Sequence, residues 1–379
     1  MKVLNSPPDK SLLRVNIAAI LLRLDSISLT QFKNYNKSTF DFKKNIVGIC
    51  GNNGVGKTNL LDAIHYLCFT KSYFTRDILN IQNGQQGFRI EGIVQINDST
   101  EKAVCILRET GKKEFSIDDS NYEKFAEHIG RYPCVIIAPD DIRIITDGSE
   151  ERRRFLDTVL SQVDKDYLQN LIIYNKILVQ RNSLLKNFFE TGNRDMALLD
   201  VLDDQLVKPG DYVFNRRLHF LEQFLPLAGK QYQQIARNEE SIELHFQSEL
   251  KQCSFKELLH LNRQRDLSAQ RTTSGIHKDD LVFNLSGQLF RNIASQGQRK
   301  SLLFALKLAE MQVLFENKDF APLLLLDDVF EKLDEERISN LLNRVCIENT
   351  GQVFITDTNH KRLSEHLDQL GTAYQLIEL

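Results

Sequence analysis

The sequence predicts an α/β fold, a nucleotide-binding head split in sequence by an inserted α-helical arm. Three observations predict it. Residues 51–58 read Gly-Asn-Asn-Gly-Val-Gly-Lys-Thr, the full G-x-x-x-x-G-K-T pattern of a phosphate-binding P-loop. From Glu151 to about Asn187 there is no glycine or proline, and apolar residues recur every three to four positions. Four leucines, 323–326, run straight into Asp327-Asp328, as a buried parallel strand ending in carboxylates would.

The bulk properties bound the rest. A chain of 379 residues can bury two or three domains. No apolar run approaches the roughly 18 residues of a membrane span, so no membrane partner is expected. The run Ile17 to Leu22 lies behind Lys10 and Arg14 but lacks a small-residue cleavage site, which argues against a signal peptide and for a cytoplasmic protein. The six cysteines show no C-x-x-C pair, and buried free thiols are expected rather than a zinc site. A net charge of −3 argues against a protein that coats nucleic acid along its whole surface. Any nucleic-acid contact must then come from local groups such as Arg152-Arg153-Arg154, Arg216-Arg217, or Arg263, Arg265 and Arg271, each equally explained as a solvated helix face.

Along the chain, residues 1–21 read as an N-terminal extension. Residues 22–149 read as the first part of the head, with alternating strands over 23–50 and 88–118 and a short apolar strand, Cys134 to Ala138, closed by Pro139-Asp140-Asp141. Residues 150–271 read as the inserted helical domain. One long amphipathic helix is expected from Glu151, closed by Thr191-Gly192-Asn193, and a second from Met196 to Ala236, broken or kinked at Pro209-Gly210. The two are expected to pack antiparallel as a short arm. Residues 272–379 return to the head, with a helix from about Gln298 to Phe315, strand 323–326, a helix near 335–347 and strand 352–356.

The P-loop chemistry follows from residue type. Gly51, Gly54 and Gly56 allow unusual dihedrals and close approach, and with Asn52, Asn53, Val55 and Asn59 they present backbone N–H groups to a polyphosphate at a helix start. Lys57 can reach the β- and γ-phosphates of a nucleoside triphosphate, ATP being the expected one, and the Thr58 hydroxyl can ligate Mg²⁺. Asp327 is expected beside the P-loop, holding the Mg²⁺ through water, and Asp328 could polarise the attacking water as a general base. Ser295-Gln296-Gly297-Gln298 precedes a helix: Ser295 can cap it, and the first-turn N–H groups form a second anion site. That position between P-loop and carboxylate strand is where ABC-type ATPases carry the signature loop.

With these residues in place the chain resembles the RecF family, bacterial DNA replication and repair ATPases of the SMC/Rad50-like ABC branch. The resemblance rests on Phe32-Lys33-Asn34-Tyr35, the P-loop with Asn59 to Ile64, Lys71-Ser72-Tyr73, Arg152 to Asp157, and Gln180 to Leu185. It continues through Gly275 to Leu281, Ser295 to Gln298, Ala305 to Glu310, and Asp327 to Asp334, covering roughly residues 22–360. The chain departs from the family at Lys33, where arginine is usual, and at Ile276 and Lys278, where proline and arginine are usual. The switch histidine of transporter ATPases is missing; Thr356 or Asp357 would occupy its place, with His360 too late.

The resemblance implies an ATP-dependent, head-to-tail homodimer. One subunit would supply Lys57, Thr58 and Asp327, and the other Ser295, Gln296, Gly297 and Gln298, with Asp334 at the same interface. It implies slow, DNA-dependent ATP hydrolysis, duplex DNA near single-strand gaps as ligand, a RecR-like mediator as partner and a nucleoid location. A transporter ATPase would normally show a Leu-Ser-Gly-Gly-Gln signature and a switch histidine. An SMC-like cohesion protein needs a far longer coiled coil, and a P-loop small-molecule kinase leaves Ser295 to Gln298 unexplained.

Overall fold

The P-loop strand belongs to a five-stranded sheet whose strand order separates it from the carboxylate strand by one intervening strand. The computed structural model describes residues 22–236, 242–330 and 335–379. In the sheet, β3 (Ile46–Cys50) lies between β14 (Tyr374–Glu378) and β13 (Val353–Asp357). Beyond β13 come β12 (Leu323–Leu326) and β8 (Cys134–Ile137), and every neighbouring pair is parallel. β3, β8, β12 and β13 are buried along their whole length, which is why they read as apolar runs instead of alternating ones, β13 ending in Thr356-Asp357.

The alternating segments form an antiparallel sheet in the order β2 (Tyr35–Asp41), β1 (Leu22–Phe32), β4 (Phe88–Ile96), β5 (Ser99–Leu107), β6 (Lys113–Ile117) and β7 (Ser120–Asn121). Helix α1 (Lys57–Phe69) runs between this sheet and the parallel one, and Leu60, Leu61, Ile64, Leu67 and Cys68 are all buried there. Eleven of the 13 residues of α1 are buried: the helix is enclosed nearly all round, so its buried surface is wider than one face.

The arm departs from the sequence expectation in three places. The run from Glu151 is two helices, α3 (Ser149–Val163) and α4 (Lys165–Thr191), after the short α2 (Arg143–Thr146). Asp164 makes the break: its backbone is extended, its carboxylate accepts from Tyr167 N at 2.8 Å as a helix cap, and its other oxygen pairs with Arg216 at 2.6 Å. A capping carboxylate is invisible to a search for glycine and proline. At the far end α4 closes as expected, with Gly192 left-handed at φ 71°.

The second departure is α5 (Met196–Ala236), which runs uninterrupted through Pro209-Gly210 and also through Pro226. Tertiary packing overrides the local cost: Pro209 and Gly210 are buried, and a Cβ on Gly210 would stand 2.4 Å from the Phe255 ring. The third is β9 (Ile242–Gln247), a strand within the segment read as helical. It pairs antiparallel with β10 (Asp280–Leu285), which also pairs with β11 (Gln288–Leu289). The insert is thereby stitched to the returning head chain. Helices α6 (Phe255–Leu261), α7 (Arg263–Ala269) and α8 (Phe290–Ile293) complete this part.

Helix α9 (Gln296–Lys318) packs along α5, and one core joins buried residues from α3, α4, α5 and α9. After β12, α10 (Glu335–Leu342) and α11 (His360–Gln369) cover the parallel sheet. All six cysteines are free thiols, four of them buried. Among the described residues no helix is long and apolar enough to cross a membrane.

Candidate nucleotide site

The loop between β3 and α1 bends through three glycines with positive φ: 151° at Gly51, 83° at Gly54 and 120° at Gly56. No side chain caps α1, so the N–H groups of its first turn stay available to an anion. The loop is held from outside by the β1–β2 turn. Asn34 Nδ2 donates to Val55 O at 2.7 Å, Asn59 Nδ2 donates to Asn34 Oδ1 at 2.8 Å, and the Tyr35 hydroxyl donates to Gly56 O at 3.0 Å. Burial pushes the Tyr35 hydroxyl up to about 12, so it remains a donor at neutral pH. A Cβ on Gly56 would lie 2.6 Å from Asn34 Nδ2, which is why only glycine fits there. These bracing roles were not legible in sequence, since a turn residue carries no sign of the loop it touches.

Lys33 and the Lys71-Ser72-Tyr73 segment meet on one carboxylate of α1. Lys33 Nζ pairs with buried Asp62 at 2.5 Å, Ser72 Oγ donates to it at 2.6 Å, and Tyr73 N donates at 2.8 Å. Three donors on one buried carboxylate hold α1 in place, and a point-charge ammonium is enough for this single-oxygen contact.

Lys57 Nζ donates to Gly51 O at 2.8 Å and Asn52 O at 3.0 Å, so the ammonium curls back over its own loop. The Thr58 hydroxyl lies 3.0 Å from both oxygens of Asp327. Thr356 on the intervening β13 supports the same carboxylate: its hydroxyl donates to Asp327 Oδ1 at 2.8 Å and accepts from Asp328 N at 3.0 Å. Burial pushes Asp327 above the usual carboxylate range, while hydrogen bonds from Thr356 and Thr58 and the charges of Lys57 and Lys33 pull it back. A hydroxyl and a carboxylate form a hard-oxygen pair suited to Mg²⁺, which takes one or two protein ligands plus substrate phosphates. Among the described residues no group of three His, Cys, Asp or Glu side chains could hold a metal ion, and a site of this kind needs none.

Asp328 follows in the left-handed region, φ 45°, which turns its side chain out of the strand. Asp327 and Asp328 line a cavity of about 310 Å³ together with Gln296, Arg299, Lys300 and Val329. Asp357 is committed elsewhere: it is buried and bound by Arg362 at 2.6 and 2.8 Å. Of the two residues at the switch position, Thr356 is the one that touches the acidic pair.

Ser295 caps α9 in a closed capping box, accepting from Gln298 N at 3.2 Å while Ser295 N donates to Gln298 Oε1 at 2.7 Å. Ser295 and Gln296 are exposed, and a Cβ on Gly297 would stand 2.4 Å from Arg337 Nη1. Among the described residues no hydrogen bond joins 51–59 to 295–298. Asp334 lies outside the described residues.

Of the basic groups singled out in sequence, Arg152 and Arg217 are buried and structural. Arg152 pairs with Asp280 at 2.6 Å; Arg217 pairs with Asp157 at 2.7 Å and Asp279 at 2.8 Å.

The family described as RecF/RecN/SMC N terminal domain matches residues 23–376. The chain is 41% identical to the DNA replication and repair protein RecF of Flavobacterium johnsoniae, across 94% of this chain and all of that one. It superposes on a structure of the recombination mediator protein RecF with ATP, in the RecFOR pathway, at a TM-score of 0.84 and 30% identity, covering 91% of this chain and 94% of that one. A Smc head domain from Pyrococcus furiosus aligns at a TM-score of 0.53 and 14% identity over 91% of this chain and 92% of that one, a likeness of fold alone.

Proposed function

The chain belongs to the RecF family of DNA replication and repair ATPases, and from that premise we propose that ATP joins two copies of it head to tail around duplex DNA near single-strand gaps. The observation that carries this reading is the division of the site. The P-loop and the Thr58–Asp327 pair form one half. The N-terminus of α9, with Ser295 and Gln296 exposed, forms another, and among the described residues no hydrogen bond ties these two to the P-loop. In this reading ATP binds residues 51–59 of one copy, and Ser295, Gln296, Gly297 and Gln298 of the other close over its γ-phosphate. Asp334 belongs to the same interface. A ligand bound by both copies stabilises the dimer by mass action.

The chain's own residues divide the work. Lys57 leaves its two carbonyl partners for the phosphates. Thr58 and Asp327 would hold Mg²⁺, which when bound neutralises phosphate charge. Asp328, raised by its left-handed turn, takes a proton from the attacking water. Its side chain is one methylene shorter than a glutamate, and hydrolysis is slow, suited to timed release. A RecR-like mediator is the expected partner, and the nucleoid the expected location.

Sedimentation with ATP and a gapped duplex tests the reading, with Lys57→Met as control. ATP should convert the wild type to a DNA-bound dimer and leave the variant monomeric. Dimers and DNA binding indifferent to ATP would overturn it. Asp328→Asn should keep the ATP-driven dimer and lose turnover; a variant that no longer dimerises removes Asp328 from the role of base.

A further inference from the structure

A second cleft lies away from the P-loop, between α3, α4 and the 275–278 segment. It encloses about 470 Å³ and is lined by Lys71, Arg153, Arg154, Arg217 and His277 among others. The nearby carboxylates are already used. Asp157 and Asp279 are held by buried Arg217, Asp280 by Arg152, and Asp266 by Arg181 at 2.7 Å. Buried arginines thereby consume the acids behind the surface. Among the described residues Lys71, Arg153, Arg265, Arg271 and Lys278 form no ion pair. Arg154 reaches only Glu150 and Glu151, at 3.4 and 3.2 Å, in an exposed pairing that contributes little.

The cations are close enough to disfavour one another's charge. Enclosure, then Arg271, Arg153 and Arg265, push Lys278 below the usual ammonium range; enclosure, then Arg154 and Lys113, do the same to Lys71. Lys71, Arg153 and Arg154 line the cleft, Lys278 follows the lining residue His277, and Arg271 precedes Thr272, whose carbonyl accepts from His277; Arg153 also donates to Asp279 O at 2.7 Å. The segment that carries Lys278 is fixed: His277 Nδ1 accepts from the Tyr174 hydroxyl at 2.7 Å and its Nε2 donates to Thr272 O at 3.1 Å.

We propose that these cations, Lys71, Arg153, Lys278 and Arg271, none of them in an ion pair among the described residues, contact the phosphate backbone of duplex DNA. It rests on the reading that the protein binds DNA, and it says where. A lone phosphate would want cations converging on one point. Here Lys278 and Arg271 lie outside the lining of the cleft that holds Lys71 and Arg153, a spread that suits a duplex, which presents about one charge per 1.7 Å of axis. It also explains how a chain of net charge −3 can hold DNA: the excess is local, because the acids beneath are neutralised internally.

The test is duplex binding with ATP over a salt series, for the wild type, Lys71→Glu, Arg271→Glu, Lys278→Glu and the triple variant. Each reversal should weaken binding uniformly across sequences and lower the salt slope by about one; the triple variant should lose binding yet still dimerise with ATP. Lys186→Glu, on the exposed face of α4, should change nothing. A second measurement uses the wild type alone: duplex DNA should protect Lys71 and Lys278, but not exposed Lys361, from amine acetylation. Unchanged affinity and slope in the triple variant, or no protection of Lys71 and Lys278 in a DNA-bound wild type, overturns this assignment and leaves DNA binding intact. A wild type that binds no duplex overturns both. Protection by inorganic phosphate at equal phosphate concentration points to a small-anion site and overturns the backbone assignment.

Discussion

The Thr356 hydroxyl donates to Asp327 Oδ1 at 2.8 Å while accepting from Asp328 N at 3.0 Å, so one side chain on β13 holds the carboxylate of the first aspartate and the backbone of the second. The strand order explains why it falls to this residue. β13 lies between the P-loop strand and the carboxylate strand, and Thr356 sits at the end where both loops emerge.

Thr356→Val removes the hydroxyl but keeps the shape. Asp327 loses a buried hydrogen bond, and Asp328 N loses its acceptor, a cost of about 1–3 kcal/mol to the fold. ATP hydrolysis should fall more than ATP affinity, since Thr58 still touches Asp327. Thr356→Ser should restore most of the rate. Steady-state ATPase and nucleotide titration on the two variants check this; equal losses in valine and serine would place the effect in packing instead.

Gly210→Ala sets two magnitudes against each other. Replacing a mid-helix glycine by alanine ordinarily gains about 1 kcal/mol. Here the new Cβ would meet the Phe255 ring at 2.4 Å and Tyr174 at 3.3 Å, and overpacking a core costs about 1–3 kcal/mol. Net destabilisation is expected in urea titration. A gain in stability would mean that Phe255 moves aside freely.

Glu310 titrates inside a buried cluster with Lys307 and Asp141, at 3.6 and 3.7 Å from Lys307 to the two carboxylates. Burial pushes Glu310 up to about 7 from an ordinary 4.5, against the pull of Lys307. An acid whose pKa is raised on folding binds its proton more tightly when folded. Its contribution to stability is therefore full below about 4.5 and is lost as the pH rises through about 7. Glu310→Gln should abolish that loss. Thermal unfolding at pH 5 and pH 8 should show the variant gaining on the wild type at the higher pH; a constant difference would remove Glu310 as the titrating group.

The ends of elements show what was legible. Gly192 closed α4 where the sequence placed its end, because a left-handed glycine is a local device. Asp164 was missed as the end of α3, although it is also local, because a capping aspartate looks like any surface acid. At Pro209 a local rule demanded a break or a kink; the helix is unbroken there, with the proline buried in the α5 core. Arg152 and Arg217 read as surface charge and are buried. Their partners lie 128 and 62 residues away, at Asp280 and Asp279, and no pattern within a helix marks such a pairing.

By itself the sequence determined the phosphate loop, the carboxylate strand, the signature-like cap of α9 and the family, since each is a short string whose chemistry depends on adjacent residues. Tertiary structure decided what holds them: Asn34 and Tyr35 against the P-loop, Thr356 between the strands, and Asp62 under Lys33. It also decided which arginines are free. Spacing along a chain fixes the atoms a motif offers, whereas burial and partners arise only where distant segments meet. The charge left at the surface is whatever those meetings do not consume.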